Sequence, residues 1–188
     1  MGLGNPGERY RLTRHNLGFW VVEGLSLRWN IPLSQHLGGG MLGLGRVEGE
    51  RVGLFVPLTY MNLSGHAVQQ AVTHLGLVPA DLLVIHDDLD LEAGRLRMRP
   101  GGGSGGHRGV ESVIWALASE DFPRLRLGIG RPPAGVDPAE YVLSPMTEEE
   151  VRFFRSVVER AMDGCAMLLA RGLDVAMGWV NSGNASPG

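Results

Sequence analysis

One apolar run in the middle of the chain constrains the fold more than any other stretch. Residues 81–91 read DLLVIHDDLDL, an apolar run that is closed by acidic residues. Such a run is typical of a strand buried on both faces of a sheet. Because ligands gather at the carboxyl ends of strands in such sheets, Asp87 and Asp88 are predicted to lie at a functional site.

Helical and strand patterns alternate on both sides of this run. A helix is predicted from Asn16 to about residue 30, followed by a hairpin with its turn at Gly49, and then by a helix capped by Asn62 or Ser64. Further on, GRLRMRP and RLRLGIG are predicted strands that flank a helix, VESVIWALA. This alternation predicts the α/β class, with a mixed, mostly parallel twisted sheet and helices on both faces.

Length and composition indicate one ordinary globular domain. A chain of 188 residues with 44% hydrophobic content can bury a substantial core. The C-terminal part contains a capping box at residues 147–150, a long amphipathic helix that ends near Gly172, and a short last helix. We therefore predict a single domain over residues 1–181 and a disordered polar tail at residues 182–188.

The cysteine content and the apolar runs indicate the cellular compartment of the protein. The single cysteine, Cys165, excludes a disulfide framework and favours a reducing compartment, so we expect a cytoplasmic protein. No apolar run approaches the roughly 18 residues that a membrane span requires, so no membrane partner is expected.

Positive charge is concentrated in one segment although the formal net charge is −3. Residues 95–131 contain seven arginines and three acidic residues, which leaves a local excess of four positive charges. Every basic side chain in the chain is arginine, the residue best suited to bidentate anion contacts. Residues 95, 97 and 99 share one face of a strand, because side chains alternate with period two. The segment is a candidate phosphate-binding surface.

The opening stretch, GLGNPGERYRLTRHNLGF, contains the candidate catalytic residue. His15 lies at an element boundary, where an imidazole can stay partly hydrated and act as a general base near neutral pH. Asp87 at the strand end could orient it and raise its basicity, or it could simply cap a loop. Asn5 and Asn62 could donate hydrogen bonds to a substrate or serve local turns, and Tyr10 and Tyr60 could stack on a base or pack.

Three motifs suggest other chemistry. Residues 2–7 match G-x-G-x-x-G, but ERYRLTRHN follows instead of an apolar helix, which favours a plain turn over a dinucleotide site. The loop GGGSGGHRG lacks the Lys-Ser/Thr ending of a P-loop, yet it could bring His107 and Arg108 to a helix N-terminus that favours anions. HDDLD offers metal-ligand types, with His15 or His107 as further ligands, but it lacks a compact zinc spacing, so metal hydrolysis is only a minor alternative.

Taken together, three motifs resemble the bacterial-type peptidyl-tRNA hydrolases. GLGNPGERYRLTRHNLGF looks like that family's opening signature, YMNLSG like its second, and HDDLDLEAGRLRMRPGGGSGGHRG like its third. They occur in order over residues 2 to about 131, which makes the resemblance specific. It implies hydrolysis of the ester between a peptide and the 3′-terminal ribose of tRNA, by a monomer that uses no metal or cofactor.

The resemblance also implies roles for individual residues. His15 would activate water and Asp87 would stabilise its competent form. Asn5 would sense the peptide side. The remaining implied contacts are Asn62, Tyr10 and Tyr60 with the 3′ end of the substrate, and Arg99 and Arg126 with the 5′ phosphate of the tRNA.

Arg108 departs from the resemblance, because the family commonly has asparagine after the loop histidine. A guanidinium cannot accept a hydrogen bond, so the substrate contact at this position differs in kind. The alternative function is a catalytically inactive RNA-binding protein on the same scaffold. The presence of His15, Asp87, Asn5 and Asn62 argues against it.

Overall fold

The computed structural model describes residues 1–183 of the chain. Strands and helices alternate along it. In chain order the helices and strands are α1 (Leu17–Arg28), β1 (Gln35–Leu37), β2 (Gly40–Val47), β3 (Glu50–Pro57), α2 (Ser64–Leu75), β4 (Val84–Asp88), β5 (Leu96–Arg99), α3 (Arg108–Leu117), β6 (Arg124–Gly128), α4 (Pro138–Leu143), α5 (Glu148–Arg171) and α6 (Leu173–Ser182). Short 3-10 turns precede α1 at Arg14–Asn16 and α2 at Met61–Leu63.

Two three-stranded sheets are joined edge to edge by the first residues of the chain. Their strand orders are β1-β2-β3 and β4-β6-β5. The Gly2 amide donates to the Phe55 carbonyl in β3 at 3.1 Å, and the Leu3 amide donates to the Ile85 carbonyl in β4 at 2.9 Å. The residues just before Asn5 therefore run between β3 and β4 and place Asn5 at the carboxyl end of the predicted central strand.

The expected mostly parallel sheet is wrong. Within the described residues β4 pairs with β6 in parallel, whereas β1 with β2, β2 with β3, and β5 with β6 are antiparallel. A parallel neighbour needs a crossover of a dozen or more residues, and the short loop between β4 and β5 is too short for one. β5 therefore runs antiparallel, and β6 enters between β4 and β5 after the α3 crossover.

Helices cover both faces of the sheet, as the sequence predicts. Helices α1, α5 and α6 pack on one face, in a cluster that includes Leu17, Phe154 and Val180. Helices α2 and α3 pack on the other face, around Val68 and Val113. The result is a mixed α/β single-domain fold.

Gly18 allows α1 to lie directly on the sheet. A Cβ at this position would lie 2.4 Å from the Ile85 carbonyl oxygen and 2.5 Å from the Leu3 carbonyl oxygen, so only glycine fits. This close approach brings the turn before α1, which contains His15, next to the end of β4.

The sequence predicts the N-cap of α5 correctly but not that of α2. Neither Asn62 nor Ser64 caps α2, because its N-cap is Leu63 and the Gly65 amide donates instead to the Ser112 hydroxyl of α3 at 2.9 Å. The predicted capping box of Thr147 and Glu150 at the start of α5 is confirmed.

The last helix continues one residue past the predicted domain end, to Ser182. The Asn181 side chain accepts from the Met98 amide at 2.9 Å and donates to the Met98 carbonyl at 3.1 Å. Both main-chain groups of Met98 on the outer edge of β5 are therefore hydrogen-bonded. The predicted disordered tail lies outside the described residues from position 184 onward. Among residues 1–183, no helix combines the length and the apolarity needed to cross a bilayer.

Candidate active site

A cleft of about 520 Å³ opens at the carboxyl end of β4. Loops that follow the first residues of the chain, β3, β4 and β5 all contribute to it, as expected for the strand ends of such a sheet. The predicted site residues that line it are Asn5, Tyr10, His15, Tyr60, Asn62, Asp87 and Arg108.

His15 and Asp87 form a direct contact in the floor of this cleft. The His15 Nδ1 lies 2.9 Å from Asp87 Oδ1 and 3.0 Å from Oδ2. An ionised carboxylate only accepts hydrogen bonds, so Nδ1 carries the hydrogen. The Nε2 of His15, which has no protein hydrogen-bond partner among residues 1–183, therefore holds the free lone pair of the neutral ring. This is the tautomer that a general base requires.

His107 makes a second contact with the same carboxylate. Its Nδ1 accepts from the Val110 amide at 3.2 Å as the N-cap of α3. The hydrogen of the neutral ring must then lie on Nε2, which donates to Asp87 Oδ1 at 3.0 Å. The helix start thus fixes the tautomer of His107, and Asp87 receives hydrogen bonds from two imidazoles. Sequence analysis assigned His107 to anion contacts and missed this bond.

His86 contacts both Asp87 and His107. Its Nδ1 donates to the main-chain carbonyl of Asp87 at 2.7 Å, and its ring meets the His107 ring edge-on with centroids 4.7 Å apart. Burial, together with the neighbouring His107 and Arg124, keeps the pKa of His86 well below its usual value. His86 is therefore a neutral packing group in the described structure.

Burial and charge have opposite effects on the pKa values of His15 and Asp87. Burial alone would raise the pKa of Asp87, but attraction to His15 and His107 and their hydrogen bonds hold it well below its usual range. Burial lowers the pKa of His15, whereas the charge and hydrogen bond of Asp87 raise it, and the net shift is upward from 6.5. Asp87 is thus ionised throughout the physiological range and stabilises a proton on His15.

Asn5 has a fixed orientation. Its Oδ1 accepts from the Met61 amide at 2.8 Å. The Asn16 side chain accepts from the Asn5 amide and donates to the Asn5 carbonyl, both at 2.9 Å. Because Oδ1 is occupied, the NH₂ group of Asn5 is the part of the side chain available to a ligand in the cleft.

The remaining predicted contacts form the rim of the cleft. Tyr60 is 54% exposed, and Asn62 and Arg108 are exposed. The Arg9 guanidinium lies over the Tyr10 ring, 4.5 Å from its centroid. The rim therefore offers aromatic surfaces and polar groups that are not committed to the core.

Arg99 and Arg126 lie outside the cleft, on an open face of β5 and β6. Arg97 pairs with Arg126 across the two strands, so these side chains share a face. Repulsion from Arg99, with a smaller contribution from Arg126, lowers the pKa of Arg97. Arg126 Nε donates to Asp88 Oδ2 at 2.6 Å, which partly balances its charge.

One arginine of the positively charged segment is not available to a ligand. Arg124 is 4% exposed, and its guanidinium donates to the carbonyls of Gly102 and Gly103. It holds the glycine-rich loop against β6. It is therefore unable to serve the phosphate-binding surface.

One wall of the cleft, formed by α4, was not predicted from the sequence. The short helix α4 contributes Pro138, Ala139, Val142 and Leu143 to the lining. Asp137 caps this helix by accepting from two amides, and Pro138 occupies its first position. The Asp-Pro dipeptide was the available signal for this helix.

The hydrogen positions disfavour a metal centre. Among residues 1–183, His15, Asp87 and His107 form a group of possible metal ligands, in which one ligand atom from each residue lies within 4.8 Å of the others. A metal on His107 Nε2 would move the hydrogen to Nδ1, where it would face the Val110 amide. The donor set therefore suits shared protons better than a cation. The glycine turn near the N-terminus leads into a 3-10 turn at Glu8–Tyr10, so it lacks the helix that a dinucleotide site requires.

A polarised imidazole beside a cleft on a mixed α/β sheet is an arrangement typical of enzymes that use a histidine as a general base. A family model described as peptidyl-tRNA hydrolase matches residues 1–187. The chain is 49% identical over 165 residues to the peptidyl-tRNA hydrolase of Geobacillus thermodenitrificans, covering 88% of this chain and 89% of the relative. It is 45% identical to that of Bacillus anthracis with the same coverage.

A solved structure has the same architecture. The crystal structure of peptidyl-tRNA hydrolase from Acinetobacter baumannii superposes with a TM-score of 0.90 at 36% identity, covering 96% of this chain and 92% of that chain. The chain belongs to the peptidyl-tRNA hydrolase family.

Proposed function

We propose that this protein hydrolyses the ester between a peptide, or an N-blocked aminoacyl group, and the 3′-terminal ribose of tRNA. The observation that carries the proposal is the 2.9 Å contact between His15 and Asp87 in a cleft large enough for an acylated ribose. Membership of the peptidyl-tRNA hydrolase family gives the substrate class. The reaction would recycle peptidyl-tRNA released from ribosomes.

His15 acts as the general base in this mechanism. Asp87 holds the hydrogen on Nδ1, so Nε2 accepts a proton from water as the water oxygen attacks the ester carbonyl. The ionised Asp87 stabilises the imidazolium that forms. His15 then donates this proton to the ribose oxygen as the ester bond breaks. A positioned base of this kind typically contributes ~10²- to 10⁴-fold to the rate.

Amide groups on two sides of the cleft receive the substrate. The NH₂ group of Asn5 is oriented by Asn16 and Met61 and contacts the acyl side, which would distinguish a blocked amine from a free one. Asn62 donates to the developing oxyanion. Tyr10, Tyr60 and Arg108 at the rim hold the terminal nucleotide by stacking and charge.

The tRNA body lies on the arginine face of β5 and β6. Arg99 is exposed there and Arg126 is partly exposed, so both can approach the 5′ phosphate of the acceptor stem. Phosphate contacts of this kind position a nucleic acid without reading its sequence. The partner is therefore the acceptor stem together with the 3′ end of peptidyl-tRNA.

We further propose that residues 1–181 act as one catalytic domain, as a cytoplasmic monomer without a metal or cofactor. The proton-sharing arrangement of His15, Asp87 and His107 supports metal-free hydrolysis. The intact base and its carboxylate argue against the alternative of an inactive RNA-binding protein.

The test is hydrolysis of a purified N-blocked aminoacyl-tRNA, compared with the same aminoacyl-tRNA carrying a free amine. We expect cleavage of the blocked ester at a rate far above that of the free one. Equal rates would contradict the role of Asn5, and the absence of cleavage for both would contradict the function.

A further inference from the structure

Arg14, the neighbour of His15, has an environment that the proposed mechanism does not use. Its side chain is 7% exposed. Nη1 donates to the Tyr141 carbonyl at 3.1 Å, Nη2 donates to Glu150, and the guanidinium carbon lies 4.1 Å from the centroid of the Tyr141 ring. Arg14 thus connects the turn that bears His15 to α4 and to the first turn of α5.

These contacts act on the wall of the cleft opposite the sheet. Tyr141 lies within α4, directly before Val142, which lines the cleft. Two main-chain contacts continue the same junction, a bridge between Thr13 and Pro145 and a hydrogen bond from the Met146 amide to the Leu12 carbonyl at 2.8 Å. Arg14 is the side chain that holds this junction at the level of the cleft.

Glu150 is held in place independently of Arg14. Its Oε2 accepts from the Thr147 amide at 2.8 Å in the capping box of α5. The carboxylate that receives Arg14 therefore has a second hydrogen-bond partner that orients it, and it is 35% exposed.

The ion pair between Arg14 and Glu150 is better suited to fixing a geometry than to stabilising the fold. Arg14 Nε is buried without a hydrogen-bond partner in the described structure. Because Glu150 is 35% exposed, loss of Arg14 leaves its carboxylate partly hydrated, which costs less stability than an unpaired charge in the core would. What such a pair does supply is a fixed geometry between the groups it joins.

We propose that Arg14 is a positioning residue that holds α4 against the His15 turn and so fixes the width of the cleft in which the ester is cleaved. The inference rests on the proposed hydrolase function. Without Arg14, α4 is still held by the two main-chain contacts and by the hydrogen bond from the Tyr141 hydroxyl to the Ile129 carbonyl at 3.0 Å, but it loses its side-chain connection to the His15 turn. The substrate is then held less closely to Nε2 of His15, while the contact between His15 and Asp87 is unchanged. The expected kinetic effect is therefore on substrate binding, and the pH dependence that His15 sets is retained.

The experiment compares four variants in the hydrolysis of an N-blocked aminoacyl-tRNA. For Arg14→Met we expect KM to rise about fivefold or more and kcat to fall less than KM rises, with the pH midpoint of kcat unmoved. Arg14→Lys keeps the charge but loses the planar fork and should recover only part of the loss. Arg14→Met combined with Glu150→Gln removes the unpaired carboxylate and should behave like Arg14→Met alone.

Arg28→Met is the matched control. Arg28 also joins two elements through two carboxylates, Asp163 at 2.7 Å and Glu159 at 2.6 Å, but it connects α1 to α5 away from the cleft. We expect its KM to equal that of the unmodified protein. Thermal unfolding of every variant shows whether a kinetic loss follows a loss of folding.

Each outcome decides for or against the proposal. Unchanged kinetics in Arg14→Met, a displaced pH midpoint, or the same KM increase in Arg28→Met would overturn it. If Arg14→Met unfolds, the double variant decides: a raised KM in a folded double variant supports positioning, and a normal KM overturns it. If the unmodified protein cleaves no blocked substrate, the hydrolase function fails, and this result is distinct from cleavage that is insensitive to Arg14.

Discussion

The cleft around His15 and the arginine face of β5 and β6 handle charge in opposite ways. In the cleft, Asp87 is 2% exposed and each of its charge interactions is made at contact distance with an imidazole. On the arginine face, the Arg97 side chain stands beside other guanidiniums, and their mutual repulsion lowers its pKa. Like charges that remain side by side, with only Arg126 partly balanced by Asp88, are suited to an external polyanion.

The comparison shows why the two regions should respond differently to mutation and to salt. Buried charges are screened little by salt, so changes in the cleft should alter the rate at any ionic strength. Exposed charges that meet phosphate release counterions, so changes on the arginine face should alter affinity and its salt dependence. The variants below test this division, from the largest expected effect to the smallest.

His15→Ala should give the largest effect. We expect kcat to fall by ~10²- to 10⁴-fold, because the group that accepts the proton from water is removed. Binding of tRNA should be unchanged, since the arginine face is intact. His36→Ala, at an exposed histidine of β1, is the control and should retain full activity. Turnover of His15→Ala at the normal rate would refute the assignment of the base.

Asp87→Asn should lower kcat by a smaller factor than His15→Ala, because the base is kept while the carboxylate that orients it and stabilises its protonated form is lost. It should also move the pH profile. Neutral His15 is the active form and Asp87 raises the pKa of His15 above 6.5, so kcat should increase with pH through a midpoint above that value. Loss of the carboxylate leaves burial to lower the pKa, and the midpoint should move to lower pH.

A pH series of kcat for both proteins is the measurement. A midpoint that stays in place, or an equal rate at neutral pH, would show that Asp87 does not act on His15. Circular dichroism spectra should confirm that the variant is folded.

His107 allows the cap and the carboxylate contact to be separated. His107→Ala removes both the hydrogen bond to Asp87 and the cap of α3, and should destabilise the fold by about 1–3 kcal/mol. His107→Ser restores an N-cap acceptor but not the bond to Asp87. We expect His107→Ser to recover stability in urea unfolding while kcat stays below normal. Recovery of both quantities would mean that only the cap matters.

Arg99→Ala and Arg126→Ala should give the smallest effects, confined to tRNA affinity. Each lost phosphate contact should flatten the slope of log affinity against log salt concentration by about one unit. Arg126 is already paired with Asp88, so its removal should cost less than removal of Arg99. Arg51→Ala, at an exposed arginine of β3, is the charge-matched control.

Affinity for deacylated tRNA measured over a salt series, together with kcat on a small ester, tests this prediction. If Arg99→Ala lowers turnover of the small ester to the same degree as that of tRNA, the division between the two regions fails.

The sequence predicted the candidate site better than it predicted the sheet. Asp87 was predicted at a strand end, and Asn5 and Asn62 line the same cleft because the carboxyl ends of neighbouring strands meet at one edge of the sheet. The strand direction was predicted wrongly because the prediction used the alternation of helices and strands and not the length of each connection. The loop between β4 and β5 is too short for a crossover, so these two strands cannot be parallel neighbours.

The sequence by itself determined which chemical groups are present at the carboxyl end of β4, since side-chain identity and local periodicity are properties of neighbouring residues. Only the tertiary structure decided which of them touch. The hydrogen bond of His107 to Asp87 and the contact of Arg14 with Glu150 span 20 and 136 residues. Contacts over such separations depend on the packing of whole elements, which no local pattern encodes.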